Sequence, residues 1–300
     1  VSVALSSFSK KEKTEILSLA LAGILALPCC AAPQGEPVEV IKEEAQVMGD
    51  AASLQARIPP PAGYERLETN PGSFGAWLRE LPLKPGRPEV LLYDGRPKAD
   101  QSAHHAVLDI DVGSADLQQC ADAVIRLRAE YLFSTACADE IHFNFTSGDT
   151  ASWKEWREGM RENVNGNDVS WSRTAAADDS YDNFRRYLEV VFTYAGSASL
   201  EKELPKVEDP SKPQPGDIFI QGGFPGHAVI VTDVAQNTAG ERIFLLAQSY
   251  MPAQEIHILR SYEDIDPWYR ARAEGELRTP EWDFRYGDLK RFSRSSCELD

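Results

Sequence analysis

The sequence predicts an α+β fold: a mostly antiparallel sheet with helices segregated around it. Two observations carry the prediction. Residues 215–254 (PGDIFIQGGFPGHAVIVTDVAQNTAGERIFLLAQSYMPAQ) contain three β-rich runs, broken by Gly222-Gly223-Phe224-Pro225-Gly226 and again by residues 236–240. Upstream, Leu117, Cys120, Ala121, Val124, Leu127, Arg128 and Tyr131 fall on one face of a helix that runs to about Phe133. Asp116, followed three residues later by Gln119, reads as a variant capping box that opens it.

In chain order, residues 73–80 read as a short helix with Phe74, Trp77, Leu78 and Leu81 on one stripe and Ser73 as N-cap. Residues 90–93 and 105–112 read as strands, with Asp94-Gly95 turning between them. Residues 153–164 and 180–191 read as two more helices joined by a polar loop containing Asn165-Gly166-Asn167, an inserted helical layer over about 150–203. Trp153, Trp156 and Trp171 belong there as anchors of the core.

The chain has 300 residues, 42% of them hydrophobic, enough for a real core. Asp and Glu outnumber Lys and Arg by 47 to 31, a net charge of −16, and no compact basic cluster offsets it. Such a surface repels phosphate backbones and anionic lipid, which argues against nucleic-acid binding and against direct membrane adsorption.

Lys10, Lys11 and Lys13 precede an uncharged run from Ile16 to Pro28 that ends at Cys29, Cys30, Ala31 and Ala32. The run is shorter than the ~20 residues a membrane span needs, and its flanks match an export signal. Residues 1–32 are therefore expected to be a signal peptide, cleaved at Ala32, or a lipoprotein signal with Cys30 as the lipid anchor. The protein would then act in the periplasm or at the cell surface. Residues 33–57, Glu-rich and Pro-flanked, read as a tether or a short amphipathic helix, and residues 58–300 as one globular domain. Without the signal, Cys120, Cys137 and Cys297 remain, an odd number, so at least one persists as a thiol; the pairing is not fixed by spacing.

A thiol in the first turn of a helix feels the positive end of the helix dipole, which favours the thiolate. Cys120 sits there, and the expectation is a lowered pKa and alkylation below neutral pH. If the strand that begins at His227 packs beside that turn, Cys120 and His227 form a nucleophile and base, and a third group must hold the imidazole tautomer. A four-residue loop at 236–239 puts His227 opposite Gln248 and Asp233 opposite Arg242; a slip of one residue would put Ser249 there instead. Gly222, Gly223 and Gly226 leave room for a substrate to approach the backbone. The strand at His104–Val112 echoes that at His227–Val234, so His105, His227 and a carboxylate offer an alternative zinc site, although no compact ligand motif is present.

Gln119-Cys120 opening a helix, with Gly216-Asp217-Ile218 and Gly226-His227-Ala228-Val229-Ile230-Val231 downstream, resembles the papain-like amidase and peptidase superfamily, especially its NlpC-type and CHAP-type branches. The resemblance implies a papain-like sheet with a nucleophile-bearing helix. It further implies Cys120 as nucleophile, His227 as base, Gln248 as the orienting residue and Gln118 or Gln119 on the oxyanion side. The substrate class would be a peptide or amide, commonly peptidoglycan-derived, with no metal and no cofactor. Gln119 and Ala121 stand where NlpC-type sequences usually carry Asp and Ser or Thr. A non-catalytic envelope binding or assembly module on the same scaffold is therefore the second expectation. A wider stretch, including LRELPLKPG, DLQQCADAVIRLRAEYL, HAVIVTDVA, LLAQSYMPAQ and TPEWDF, resembles an exported bacterial family, domain of unknown function 4846, which implies no activity.

Overall fold

The computed structural model describes residues 53–135 and 137–296. The expected signal, the Cys30 anchor, most of the expected tether and Cys297 lie outside the described residues. Ser53 bridges Pro82, and Leu54–Arg57 (α1) forms a helical turn with Leu54 fully buried, so the described fold includes the last residues expected in the tether. Strand β1 (Tyr64–Arg66) follows, then α2 (Phe74–Arg79), whose N-cap hydroxyl at Ser73 accepts from the Ala76 N–H at 3.2 Å.

Strand β2 (His104–Val107) is shorter than expected, because Leu108 leaves it to bridge Leu83. Residues 90–93 are a tight loop rather than a strand: Leu91 and Leu92 make only single bridges, to Pro97 and Gln254. The long helix α3 spans Cys120–Ser134, three residues further on than the Asp116 cap implied. Asp116 is taken by a distant partner, the Ala253 N–H at 2.6 Å, and Gln119 becomes the N-cap, its N–H donating to the Asp122 carboxylate at 3.0 Å. Cys120 is thereby the first residue of the helix.

Next come β3 (His142–Asn144), β4 (Thr150–Ser152) and α4 (Trp153–Arg157). The helix expected to continue to residue 164 stops here. Gly159 has φ +100, and a Cβ there would lie 2.2 Å from the Ala175 carbonyl oxygen, so the chain turns where only glycine fits. Residues beyond it form a hairpin, β5 (Met160–Asn165) and β6 (Asp168–Arg173), turning through Gly166 at φ +64. Asn-Gly is a hairpin signal, and it wins over the weak helical spacing. Helix α5 (Tyr181–Tyr194) is the expected helix, capped by Ser180 and running three residues longer, and α6 (Ser197–Glu203) follows. Trp153 and Trp156 are buried anchors and Trp171 packs against the same core, as expected.

The remaining strands are β7 (Asp217–Gln221), β8 (His227–Asn237), β9 (Arg242–Gln248), β10 (His257–Leu259), β11 (Tyr269–Arg270), β12 (Glu276–Arg278), β13 (Asp283–Arg285) and β14 (Leu289–Arg291). The main sheet runs β14-β7-β8-β9-β10-β2, antiparallel at each of these pairings, with β1 on the far end of β8 and β11 on β9. It is an α+β architecture built on antiparallel sheet, as the three β-rich runs predict. Strand β8 is buried from His227 to Ala235, which its apolar run requires of a central strand covered on both faces. One face (Ala228, Ile230, Ile243, Leu245, Ala247) packs under α3 and the other helices. The opposite face (Val229, Val231, Phe244, Leu246) packs against Tyr269, Leu277, Phe284 and Tyr286.

The β8–β9 register departs from the expected one at both ends. Gln236 pairs with Arg242, so the turn lies further along the chain than expected; then a bulge between Val231 and Asp233 inserts Thr232 and shifts the pairing to Val231 with Leu246. Asp233 consequently meets Leu245 rather than Arg242. Its fully buried carboxylate is held by Arg66 Nε and Arg79 Nε, each at 2.6 Å. The bulge also swaps the faces, so that Val234 lies in the core that Val231 faces and Ala235 in the core that Ile230 faces.

Candidate functional site

The site lies where β8 begins and β9 ends, at the start of α3. Continuing the register beyond Ile230 and Ala247 places Gln248 beside Val229 and one diagonal step from His227, on the same face. A long side chain spans that diagonal, and His227 Nε2 lies 2.9 Å from Gln248 Oε1. Both residues are buried.

The hydrogen bonds around Gln248 fix its orientation. Its amide nitrogen donates to Glu281 Oε2 at 2.6 Å and lies 3.4 Å from His257 Nε2. His257 donates from Nδ1 to the Glu255 carbonyl at 2.8 Å, which leaves its Nε2 as the acceptor. With both amide hydrogens directed at acceptors, the Gln248 oxygen faces His227 and must receive a proton, so His227 carries its hydrogen on Nε2 and the lone pair on Nδ1. Behind Gln248, the Glu281 carboxylate is met by the buried Lys98 ammonium at 2.6 Å. Burial pushes the Glu281 carboxyl up, but the neighbouring His257 and the Lys98 ammonium outweigh it and hold the group below its usual value. Glu281 and Trp282 occupy the turn between β12 and β13, closed by the Thr279 N–H donating to the Trp282 carbonyl at 3.1 Å. The hairpin lays Trp282 and Phe284 against the imidazole, at ring separations of 5.4 and 5.8 Å, while Tyr250 meets it edge-on at 4.8 Å.

Cys120 is half-buried and is the free cysteine among the described residues; Cys137 is in a disulfide. Helix α3 packs on β8, and the start of α3 is pinned to the end of β9 by the Ser249 hydroxyl, 2.9 Å from the Gln118 carbonyl oxygen and 2.7 Å from that of Gln254. The backbone N–H of Ala228, the residue after His227, faces the Cys120 thiol, as do those of Cys120 and Ala121. These donors favour the thiolate, but burial and the neighbouring Asp122 outweigh them and push the thiol up to about 11. The lowered pKa expected from the helix start is thus not found, because desolvation exceeds the dipole. Burial also pushes His227 down to about 4, despite Gln248, so thiol and imidazole are both neutral at pH 7. Among the described residues no direct hydrogen bond joins Cys120 to His227.

Of the oxyanion candidates, Gln118 is buried; its Oε1 accepts from Arg126 Nη1 at 3.1 Å, and its Nε2 has no partner among the described residues. Gln119 is turned to Asp116, at 3.2 Å. The three glycines lie on the loop before His227, but the close approaches they allow are internal. A Cβ on Gly222 would lie 2.6 Å from Glu201 Oε2, one on Gly226 would lie 2.3 Å from Ser197 Oγ, and one on Gly223 would lie 3.1 Å from the Pro225 carbonyl oxygen. Gly222 and Gly226 thus seat the loop on α6. His105 and His227 do not converge, since β9 and β10 separate β2 from β8, and among the described residues no three His, Cys, Asp or Glu side chains are grouped to hold a metal. A cavity of about 610 Å³ is lined by Phe74, Arg128, Arg242 and Arg291 among others, and Cys120 is not part of its lining.

Glu281, Lys98, His257 and Trp282 were not foreseen. The signal that touched them was the TPEWDF segment, whose carboxylate looks like any turn residue until the hairpin folds back on β9.

No curated protein and no solved structure matches the chain. A family model, domain of unknown function (4846), matches residues 54–291. Covering most of the chain and nearly all of its described fold, that match shows that the protein belongs to the domain of unknown function (4846) family.

Proposed function

We propose that the protein is a cysteine-dependent amide hydrolase with Cys120 as nucleophile, His227 as base and Gln248 as the residue that orients the imidazole, on a scaffold related to the papain-like enzymes. The observation that carries this reading is the His227–Gln248 hydrogen bond at 2.9 Å, which leaves the Nδ1 lone pair free on the residue that precedes Ala228, whose backbone N–H faces the thiol. Because both groups start neutral, the reaction begins by general-base catalysis rather than from a preformed ion pair. Nδ1 takes the thiol proton as sulfur attacks the carbonyl carbon, and the carbonyl π electrons move to oxygen. The N–H groups at the helix start and the unpaired Gln118 amide supply donors for that oxyanion. Collapse breaks the C–N bond, the imidazolium gives its proton to the leaving amine, and water, deprotonated by the imidazole, hydrolyses the thioester to free the acid and restore the thiol. The direct contact absent at rest forms on substrate binding, as catalytic hydrogen bonds commonly tighten only then.

A substrate peptide of the cell envelope fits this reading together with the basic residues and apolar run at the start of the chain, which support export. Incubation with peptidoglycan fragments and with peptide amides, followed by mass spectrometry, tests it: turnover by the wild type, lost in Cys120→Ala and in His227→Ala. Turnover unchanged in Cys120→Ala overturns it.

A second reading, a non-catalytic binding or assembly module, is favoured by the raised thiol pKa and by a cavity of about 610 Å³ whose lining leaves out Cys120. It predicts no turnover and no His227-dependent labelling of Cys120.

A further inference from the structure

We infer that Glu281 is a positioning residue: by pinning the Gln248 amide it sets the tautomer of His227 and so decides whether the imidazole can act as a base. The inference deepens the proposed hydrolase, but its central claim concerns the tautomer and stands without turnover. Gln248 is symmetric in shape, and its oxygen and nitrogen differ only in what they face. On one side stands His227, which accepts either end by shifting its own proton. On the other stand Glu281 Oε2 at 2.6 Å and His257 Nε2 at 3.4 Å, both acceptors. Those two acceptors force the amide nitrogen towards them. The Lys98 ammonium, buried and 2.6 Å from the same Glu281 oxygen, keeps that carboxylate ionised and in place.

Removing the carboxylate reverses the preference. Lys98 and Gln248 meet the same Glu281 oxygen, each at 2.6 Å, so with the carboxylate gone the ammonium is the charged donor facing Gln248; it outweighs the longer 3.4 Å contact to His257 Nε2, and the amide turns its oxygen to Lys98 and its nitrogen to His227. The imidazole answers by moving its hydrogen from Nε2 to Nδ1. The lone pair that would accept the Cys120 proton is gone, although every residue of the proposed triad is still present. No charge is transferred in this rearrangement; one proton changes nitrogen within a neutral ring.

The test is a long-range ¹H–¹⁵N correlation spectrum of the full chain labelled at histidine, recorded at pH 7 for the wild type and for Glu281→Ala, with His227 assigned by its loss in His227→Ala. The wild type is expected to show Nε2 as the protonated nitrogen and Nδ1 as the unprotonated one, and Glu281→Ala the reverse. Glu281→Met fills the space of the side chain and carries the same expectation if the alanine variant does not fold. Glu281→Gln, which retains a carbonyl acceptor, is expected to keep the wild-type tautomer. A wild type protonated at Nδ1, or a folded Glu281→Ala or Glu281→Met protein still protonated at Nε2, overturns the inference. If the tautomer reverses but the wild type hydrolyses nothing, the positioning role stands and the hydrolase falls. Where turnover is measured, kcat is expected to drop about 10³- to 10⁴-fold with KM little changed, the order associated with a base held in the wrong tautomer.

Discussion

Gln248 reaches His227 across a diagonal of the β8–β9 pair, and the two share a face because the bulge at Thr232 restores the register parity that the displaced hairpin turn removes. Without that extra residue Gln248 would project towards α3 and Ser249 towards the imidazole. The bulged residue carries a cost of its own: Thr232 is fully buried and its hydroxyl has no partner among the described residues. Thr232→Val keeps the shape and removes the orphaned hydroxyl. It is expected to raise stability by about 1 kcal/mol in urea titrations, with the His227–Gln248 bond intact; a destabilised variant would mean that the hydroxyl is satisfied.

The imidazole pKa is expected near 4 by NMR titration, since burial disfavours its charged form. The unfolded chain binds a proton to this residue at about pH 6.5 and the folded one near 4. Stability contributed by His227 is therefore present above the unfolded value and lost as pH falls from about 6.5 to 4. The acid limb of any turnover should lie below pH 5, and a limb at pH 6.5 would show the ring to be solvated.

Cys120 should alkylate slowly at pH 7, with a rate that climbs through the alkaline range towards the thiol pKa of about 11. Asp122→Asn removes a neighbouring negative charge and is expected to shift that profile to lower pH. The effect of His227→Ala separates the two functional readings: slower labelling at neutral pH supports a base acting on the thiol, and an unchanged rate supports the module.

Asp122 itself is buried at the helix start, and its carboxyl is pushed up to about 8 by desolvation. The folded state thus holds a proton that the unfolded state releases near pH 4, and stability from this group declines as pH rises between those values. Asp122→Asn should flatten the decline, measured as melting temperature between pH 5 and 9. Its amide oxygen still accepts from the Gln119 N–H, so the cap survives.

Asp233→Ala is expected to destabilise the fold by about 3–5 kcal/mol, because it leaves the buried Arg79 guanidinium without its carboxylate. Chemical denaturation checks the figure. Arg242→Ala, at the position where the sequence placed the partner of Asp233, should cost far less.

The fold was legible where short-range pattern and burial agree. The three β-rich runs became β7, β8 and β9, the Ser73 cap opens α2, and the helix expected over 180–191 is α5. The shared face of His227 and Gln248 was also legible, although through a different register: the turn lies further along the chain and the bulge compensates. What failed depended on distant partners. Asp116 left its cap for Ala253, residues 90–93 lacked a full strand to pair with, and Asp233 found two arginines from elements far upstream. The site divides the same way. Cys120, His227 and Gln248 are picked out by helix start, strand start and strand end, and the structure brings His227 and Gln248 together. Glu281 does not, because nothing local in a Thr-Pro-Glu-Trp turn says which amide it will meet, and the thiol pKa depends on a burial no helix-dipole argument contains.

The β12–β13 turn has a consequence for the order in which the polypeptide becomes competent. A ribosome that has delivered residues through 278 has already supplied the thiol, the imidazole and the amide, yet the acidic latch comes afterwards. In a chain cut before residue 281 the amide lacks the carboxylate that holds it, so on the proposed reading the base role of His227 awaits the late hairpin.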